Sequence, residues 1–259
     1  MHSNISISYS DSICKKDADK FAELHQLNSV TLQDVITPLS LNFTPDYIEL
    51  LDLEINTSIH VDFLSGSVAH RQKFGGGKGQ AIAKALGLKT AKAVPSVLDA
   101  TAGLAGDAFV IATLGCPITM IEQSPIVIKL VSDGIERASY DISFNKIQDT
   151  GFILIQQNSL DYLENLINIP AEKPDVIYLD PMFPDRKKSA LVKKNMKILQ
   201  KLLGRDENSD KLLDVALQHA NNRVVVKRPK SAPAISARAP NTMIESKKTR
   251  YDIYFTFKK

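Results

Sequence analysis

Cysteine is scarce in this chain of 259 residues: Cys14 and Cys116 are the two present, and they give neither a disulfide framework nor a metal-ligand spacing. The five histidines are scattered and make no triad or metal pattern with the cysteines or serines. No metal is expected, and a reducing cytoplasm is the natural setting. Long apolar runs are missing as well. The longest are strand-sized, well short of the roughly 20 residues that span a bilayer. The polar N-terminus lacks the apolar stretch of a signal peptide, so neither export nor membrane insertion is expected. Two phosphate-loop signatures also fail. Ala102 and Leu104 flank Gly103, which breaks the dinucleotide pattern Gly-x-Gly-x-x-Gly. Gln72 stands where an NTP-binding loop needs its first glycine, and Gly79 stands after Lys78 where that loop needs Ser or Thr. Nicotinamide reduction and NTP hydrolysis both lose their sequence basis.

The chain has enough apolar residues, 44%, and enough length to bury a sizeable core. Its net charge of +3 hides an asymmetry. Residues 1–180 carry 13 Lys/Arg against 22 Asp/Glu, whereas residues 181–259 carry 19 against 7. A C-terminal third this basic implies either a solvated lysine face or a polyanionic partner. Its start directly after a candidate active-site loop favours nucleic acid.

From about Val94 the chain alternates strand, loop and helix. Strands are expected at Val94–Ala100, Ile118–Glu122, Phe152–Asn158, Asp175–Asp180 and Arg223–Lys227. Helices are expected at Asp107–Leu114, Pro125–Ser139, Leu160–Ile167 and Asn208–Asn221. This rhythm predicts an α/β fold with a doubly wound parallel sheet, closed at one edge by an antiparallel pair, Asn241–Glu245 and Tyr251–Phe257. Strand order is beyond periodicity. Residues 1–68 read instead as a small β-rich subdomain, with short strands at Ile5–Tyr9, Val30–Val35, Leu39–Phe43, Tyr47–Leu53 and Ile59–Phe63. Residues 69–93 form a Gly/Lys-rich loop and a linking helix, Ala81–Leu86, and residues 94–259 the larger α/β domain.

Two loops carry the chemistry. In Val97-Leu-Asp99-Ala-Thr-Ala-Gly103-Leu-Ala-Gly106-Asp107, the glycines permit close backbone approach to a ligand, and the following helix start offers amides to a carboxylate. Glu122, ending the next strand, suits the two hydroxyls of a ribose. Asn158 and Ser159 fall where polar groups can read an adenine edge, though Ser159 also reads as a helix cap. A mononucleoside cofactor fits better than a dinucleotide, and S-adenosylmethionine (SAM) is the obvious one. The second loop is Val176-Ile-Tyr-Leu-Asp180-Pro181-Met182-Phe183-Pro184. Asp180 can accept hydrogen bonds from a planar amine, Pro181 stiffens the loop, and Phe183 can stack on the ring. Together the loops imply methyl transfer to an exocyclic amine. Arg71, Lys73 and Lys78 surround a glycine run that reads as a phosphate clamp, a cofactor lid or a simple linker. Arg186, Lys187 and Lys188 follow the Asp180 loop, and Lys227, Arg228 and Lys230, with Lys247, Lys248 and Arg250, are placed to track a phosphate backbone.

Several strings carry a family resemblance. They are Val68-Ala-His-Arg-Gln-Lys-Phe-Gly-Gly-Gly-Lys-Gly-Gln80, Leu98-Asp-Ala-Thr-Ala-Gly-Leu104, Tyr178-Leu-Asp-Pro-Met-Phe-Pro184, Lys188-Ser-Ala-Leu-Val-Lys-Lys194 and Arg223-Val-Val-Val-Lys-Arg-Pro229. The chain resembles the bacterial small-subunit ribosomal RNA guanine-N2 methyltransferases of the RsmJ family, from about Asp62 to Phe255. The resemblance implies a Rossmann-like SAM-dependent methyltransferase sheet and transfer of a methyl group to N2 of one guanosine in 16S rRNA. Its cofactor contacts fall at Gly106, Asp107, Glu122, Gln123, Asn158, Ser159 and Asp180, beside Asp99 and Gly103. The family pattern tends to have Arg at the places of Gly106 and Gln123, and Ser at that of Asn158. Two other readings stay open: an amino-methyltransferase acting on DNA adenine or cytosine, and a non-catalytic RNA-binding assembly factor built on the same fold.

Overall fold

The computed structural model describes residues 4–65, 77–91, 93–166, 173–181, 192–204 and 209–256. Arg71, Lys73, Phe183, Arg186, Lys187 and Lys188 lie outside the described residues, and of Lys78 only the backbone turn Gly77–Gly79 is described. Contacts divide the chain into two compact units, each assembled from discontinuous stretches.

The first unit comprises Met1–Asp62, Ser124–Ala138 and Met182–Arg205. Its sheet has the order β2-β1-β3-β4-β5, with β1 at Ile5–Tyr9, β2 at Ser29–Thr31, β3 at Leu39–Phe43, β4 at Ile48–Asp52 and β5 at Thr57–Ile59. β1 runs parallel to β2 and β3, which requires a crossover. That crossover is α1, Lys15–Leu24, which lays Ala18 and Ala22 against the sheet. The β-rich expectation missed this helix, because its small buried alanines sit among lysines and acids and leave little apolar stripe to read. The Ile-Ser-Ile-Ser alternation of β1 suggests one wet face, yet both faces are buried. The serine face is satisfied internally: Ser8 Oγ donates to Asn42 at 3.1 Å, and Ser40 Oγ donates to Ser8 at 2.8 Å. Helix α4, Pro125–Ala138, packs on β4, and Gly134 lets it approach Val61 where a Cβ would come within 2.6 Å of the valine side chain. Helix α7, Val192–Leu203, contributes Lys201, whose ammonium bridges Asp52 at 2.8 Å and Glu54 at 2.7 Å.

The second unit comprises Phe63–Gln123, Ser139–Pro181 and Asp206–Lys259. Among the described residues its sheet has seven strands in the order β11-β12-β10-β9-β6-β7-β8. The parallel members are β6, Val97–Asp99; β7, Ile118–Glu122; β8, Phe152–Gln156; β9, Val176–Leu179; and β10, Arg223–Pro229. β11, Thr242–Glu245, and β12, Thr249–Phe255, close the edge antiparallel. This is the doubly wound α/β sheet with an antiparallel edge that the alternating pattern predicts.

Helices α2, Ala81–Ala85; α3, Gly106–Thr113; α5, Ile142–Asp149; α6, Ser159–Asn165; and α8, Ser209–His219, belong to this unit. One core gathers Leu98, Ile177, Leu179, Val224 and Val226 from alternate strand positions against Leu163 of α6 and Leu212, Leu213 and Ala216 of α8. A second cluster joins Phe63, Phe109, Phe144 and Phe152, whose ring centroids lie 5.0 to 6.3 Å apart in stacked, tilted and edge-on pairs. Phe63 was expected to end a strand from Ile59; β5 stops at Ile59, and Phe63 is drawn instead into these rings.

Phe144 is fully buried among three other rings. Phe144→Ala should destabilise this unit by about 3–5 kcal/mol, and Phe144→Leu by clearly less. Urea unfolding followed by near-ultraviolet circular dichroism checks this. A Phe144→Ala midpoint equal to that of the parent protein would contradict the packing described.

Candidate active site

The chain passes from β6 to β7 and β8 on one side of the sheet, then returns to place β9 on the other side of β6. The switch point lies between β6 and β9, where open α/β sheets form a ligand crevice at the carboxyl ends of their strands. Asp99 ends β6, Asp180 follows β9, and Glu122 ends β7. Parity decides what faces what. Leu98, Ile177, Leu179 and Val226 point into the core, so Asp99, Tyr178 and Lys227 take the opposite face, and Asp180 continues that alternation.

The loop after β6 is tightly held. Asp99 is 2% exposed and its Oδ1 accepts from the Thr101 N–H at 2.9 Å and the Thr101 hydroxyl at 3.3 Å. Thr101 Oγ1 in turn accepts the Asp180 N–H at 2.6 Å, so one side chain ties the two functional loops together. Sequence reading placed Asp99 with the cofactor contacts; the structure engages its carboxylate in supporting this loop. Burial pushes the Asp99 carboxyl up to about 7, with the charges of Asp107 and Asp180 adding to the effect and the Thr101 N–H opposing it.

Gly103 adopts φ +50°, and its N–H donates to Glu122 Oε2 at 3.2 Å, fixing a carboxylate beside the glycine loop. Ala105, with φ +58°, starts α3 from the left-handed region, a strained state often kept where a loop must present its amides. Gly106 has nothing within 4 Å of the place a Cβ would occupy. The first-turn amides of α3 have no carbonyl partner inside the helix. Asn158, not Ser159, caps α6: its Oδ1 accepts from the Leu160 and Asp161 N–H groups at 2.9 and 3.3 Å. Its amide nitrogen donates to Gln123 Oε1 at 2.9 Å, while Ser159 Oγ donates to the Ala100 carbonyl at 2.6 Å. Glu122, Gln123 and Asn158 are thus grouped at the ends of β7 and β8, a donor and acceptor set matching the ribose and adenine of a nucleoside. An open glycine loop with amide donors matches an amino-acid carboxylate. The site fits SAM.

Lys227 corrects the sequence reading. Its ammonium donates to Asp107 Oδ2 at 2.6 Å and to Asp180 Oδ2 at 2.7 Å, and so is engaged inside the site rather than tracking phosphates. Burial opposes its charge, but Asp180 and Asp107 outweigh burial and raise its pKa. Arg228 is corrected too: it is fully buried, and its guanidinium donates to the Pro233 carbonyl at 3.1 Å through Nε. Tyr178 was not singled out in the sequence; its hydroxyl donates to Asp107 Oδ2 at 2.7 Å, and burial with the neighbouring carboxylates keeps that proton in place. A tyrosine at an inward-reading strand position carries no sequence signal of this role. Among the described residues there is no group of three or more His, Cys, Asp or Glu that could hold a metal, and no helix long and apolar enough to cross a membrane.

The Asp99 environment has a pH signature. An acid whose folded pKa lies above its unfolded value binds more protons when folded, so its stabilising contribution is complete below about pH 4 and declines as pH rises to about 7. The loss is on the order of 4 kcal/mol at most. Urea unfolding at pH 4.5 and 7.5 should show Asp99→Asn to be less pH-dependent than the parent chain. Equal slopes for the two proteins would contradict the buried-acid assignment.

Comparison with known proteins agrees with this geometry. A family model described as "Putative SAM-dependent methyltransferase" matches residues 22–256. The ribosomal RNA small subunit methyltransferase J of Aeromonas salmonicida is 49% identical over 244 residues, covering 93% of this chain and 96% of that protein. That of Shewanella amazonensis is 53% identical over 196 residues, covering 76% of this chain and 77% of the relative. The crystal structure of a SAM-dependent methyltransferase from Neisseria gonorrhoeae superposes with a TM-score of 0.75 at 31% identity, covering 97% of this chain and 96% of that one. The chain belongs to the family of SAM-dependent methyltransferases that includes the ribosomal RNA small subunit methyltransferases J.

Proposed function

We propose that the chain methylates the exocyclic N2 amine of a guanosine in small-subunit (16S) ribosomal RNA. The observation that carries this reading is Asp180: a carboxylate 39% exposed at the switch point, with its N–H anchored to Thr101 and its Oδ2 on Lys227. A held carboxylate of this kind accepts N–H hydrogens from a planar amine and aims the nitrogen lone pair. The small-subunit rRNA methyltransferases at 49% and 53% identity support rRNA as the substrate.

Glu122 would hold the ribose, Gln123 and Asn158 the adenine side, and Gly103, Gly106 and the start of α3 the amino-acid end of SAM. When bound there, the cofactor supplies a methyl group on a sulfonium, displaced in line as its electron pair returns to sulfur. Asp180 orients the amine and takes up the N–H proton shed after attack, passing it to solvent from its exposed side. Pro181 limits the loop's conformations, and Phe183 is placed by its sequence position to stack on the base. A base inside a duplex hides its amine edge, so the target guanosine is unpaired or flipped out. Lys230, Lys247 and Lys248, all exposed, would meet phosphates together with Arg71, Lys73, Lys78, Arg186, Lys187 and Lys188. This substrate places the protein in the cytoplasm with the ribosomes.

The test is methyl transfer from labelled SAM to undermethylated small subunits and to naked rRNA, followed by digestion to nucleosides. Label should appear in N2-methylguanosine. Asp180→Asn should lower kcat by about a hundredfold or more while SAM still binds. Glu122→Gln should mainly raise the KM for SAM. Label in N6-methyladenosine or N4-methylcytosine would replace the guanine assignment, and no label with SAM binding intact would support the non-catalytic assembly factor.

A further inference from the structure

Asp99, Asp107 and Asp180 crowd the carboxyl ends of β6 and β9 and the first turn of α3, in a site walled by buried strands. Three carboxylates this close disfavour one another's charge. Lys227 answers that repulsion. Val226 of β10 pairs with Leu179 of β9, so the next residue on each strand brings Lys227 beside Asp180 on the same face. Its ammonium then lies 2.7 Å from Asp180 and 2.6 Å from Asp107, with Tyr178 donating to the same oxygen of Asp107. We infer that Lys227 is a positioning residue for methyl transfer: its ammonium holds Asp180 as an ionised, aimed acceptor for the substrate amine.

This rests on the reading of Asp180 as the amine acceptor given above. A protonated Asp180 would offer the amine an O–H donor where an acceptor is needed. A carboxylate has about four lone-pair positions, so an ammonium on Oδ2 leaves capacity for an amine N–H. Among the described residues, the charged and titratable groups that act on Asp180 or its neighbours are Lys227 and Arg228 on β10, Asp107 on α3, Asp99 at the end of β6 and Tyr178 on β9, with Tyr251 on β12 acting on Tyr178. Burial raises the Asp180 carboxyl above the usual carboxylate range; Lys227 works against that rise and Asp107 adds to it. Without the ammonium, burial and Asp107 still push the carboxyl up, opposed among the described residues by Arg228. Lys227 is set in a strand and tied to two acids, so it does not serve the phosphate-tracking role that its place in Lys227-Arg228-Pro229-Lys230 suggests.

The experiment compares the full-length parent protein with Lys227→Met and Lys227→Arg. The Asp180 carboxyl is titrated by carbon-13 NMR on protein labelled at aspartate, its resonance identified by its absence in Asp180→Asn. The pH dependence of kcat is measured with undermethylated small subunits, and SAM binding by calorimetry. In Lys227→Met the Asp180 resonance should titrate at least about one pH unit higher. The acid limb of kcat should move up with it, and kcat at pH 7 should fall about tenfold to a hundredfold. Lys227→Arg should keep the parent limb and recover part of the rate. If Lys227→Met does not fold, the arginine variant decides: a limb displaced upward despite the retained charge overturns the inference. An unchanged Asp180 titration in Lys227→Met also overturns it. So does a raised KM for RNA with a reduced salt slope and unchanged kcat, the mark of a lost phosphate contact. A displaced titration with an unchanged rate profile would instead sink the acceptor reading of Asp180, and the inference with it.

Discussion

Parallel pairing of β6 with β9 and of β9 with β10 is the constraint from which the site follows. Asp99 pairs with Tyr178, and Val226 with Leu179, so β6 and β9 end nearly level while β10 runs on to Pro229 and carries Lys227 past the same rim. Strand alternation then sorts those residues. One face receives Leu98, Ile177, Leu179 and Val226 and becomes core; the other receives Asp99, Tyr178 and Lys227, with Asp180 next in phase. A slip of one residue in β10 would send Lys227 into the hydrocarbon core and a valine toward the acids. The apolar burial that fixes register therefore also fixes which charges meet.

Electrostatics within that rim separates carboxylates of similar chemistry into different roles. Asp99 is nearly sealed from solvent and is pushed up to about 7 chiefly by burial. Asp180 keeps 39% of its side chain exposed and shares an ammonium with Asp107. Environment alone thus suits one acid to a structural hydrogen bond and the other to meeting a ligand. Thr101 joins them, since it donates to Asp99 and accepts from the Asp180 N–H.

The parts of the fold legible in the sequence were those written in period or in loop chemistry. The apolar runs of β6, β7, β8, β9 and β10, the glycines after β6 and the Asp-Pro step after β9 all announce themselves, because each reflects a local demand. Strand order was not legible, since it depends on which helices cover which face. Helix α1 escaped because Ala18 and Ala22 bury little area, and helices α5 and α7 were not anticipated. Asn158 rather than Ser159 proved to be the cap, a choice decided by one residue of backbone phase. Lys227 and Arg228 were misread for a shared reason: a basic run in the sequence reports sign, whereas burial and partners are three-dimensional facts.

That distinction divides the basic C-terminal third into two populations. Three arginines, Arg223, Arg228 and Arg250, are used as structural clamps. Arg228 donates to the Pro233 carbonyl, and Arg250 donates to the Lys230 and Ala232 carbonyls while its fork holds the fully buried Asp252 at 2.7 and 3.1 Å. Arg223 donates to the Ala85 carbonyl at 3.2 Å and lies over the Phe255 ring. A planar guanidinium with five donors suits such carbonyl-rich corners, where a lysine would leave most acceptors unmet. The lysines at the same edge stay outside: Lys247 and Lys248 at the β11–β12 turn are exposed, and Lys230 is exposed with a surface ion pair to Glu245. An exposed pair of that kind contributes little to stability and exchanges readily for another anion. Rigid arginine clamps therefore fix the shape of this edge, and the lysines it displays remain available to a phosphate backbone.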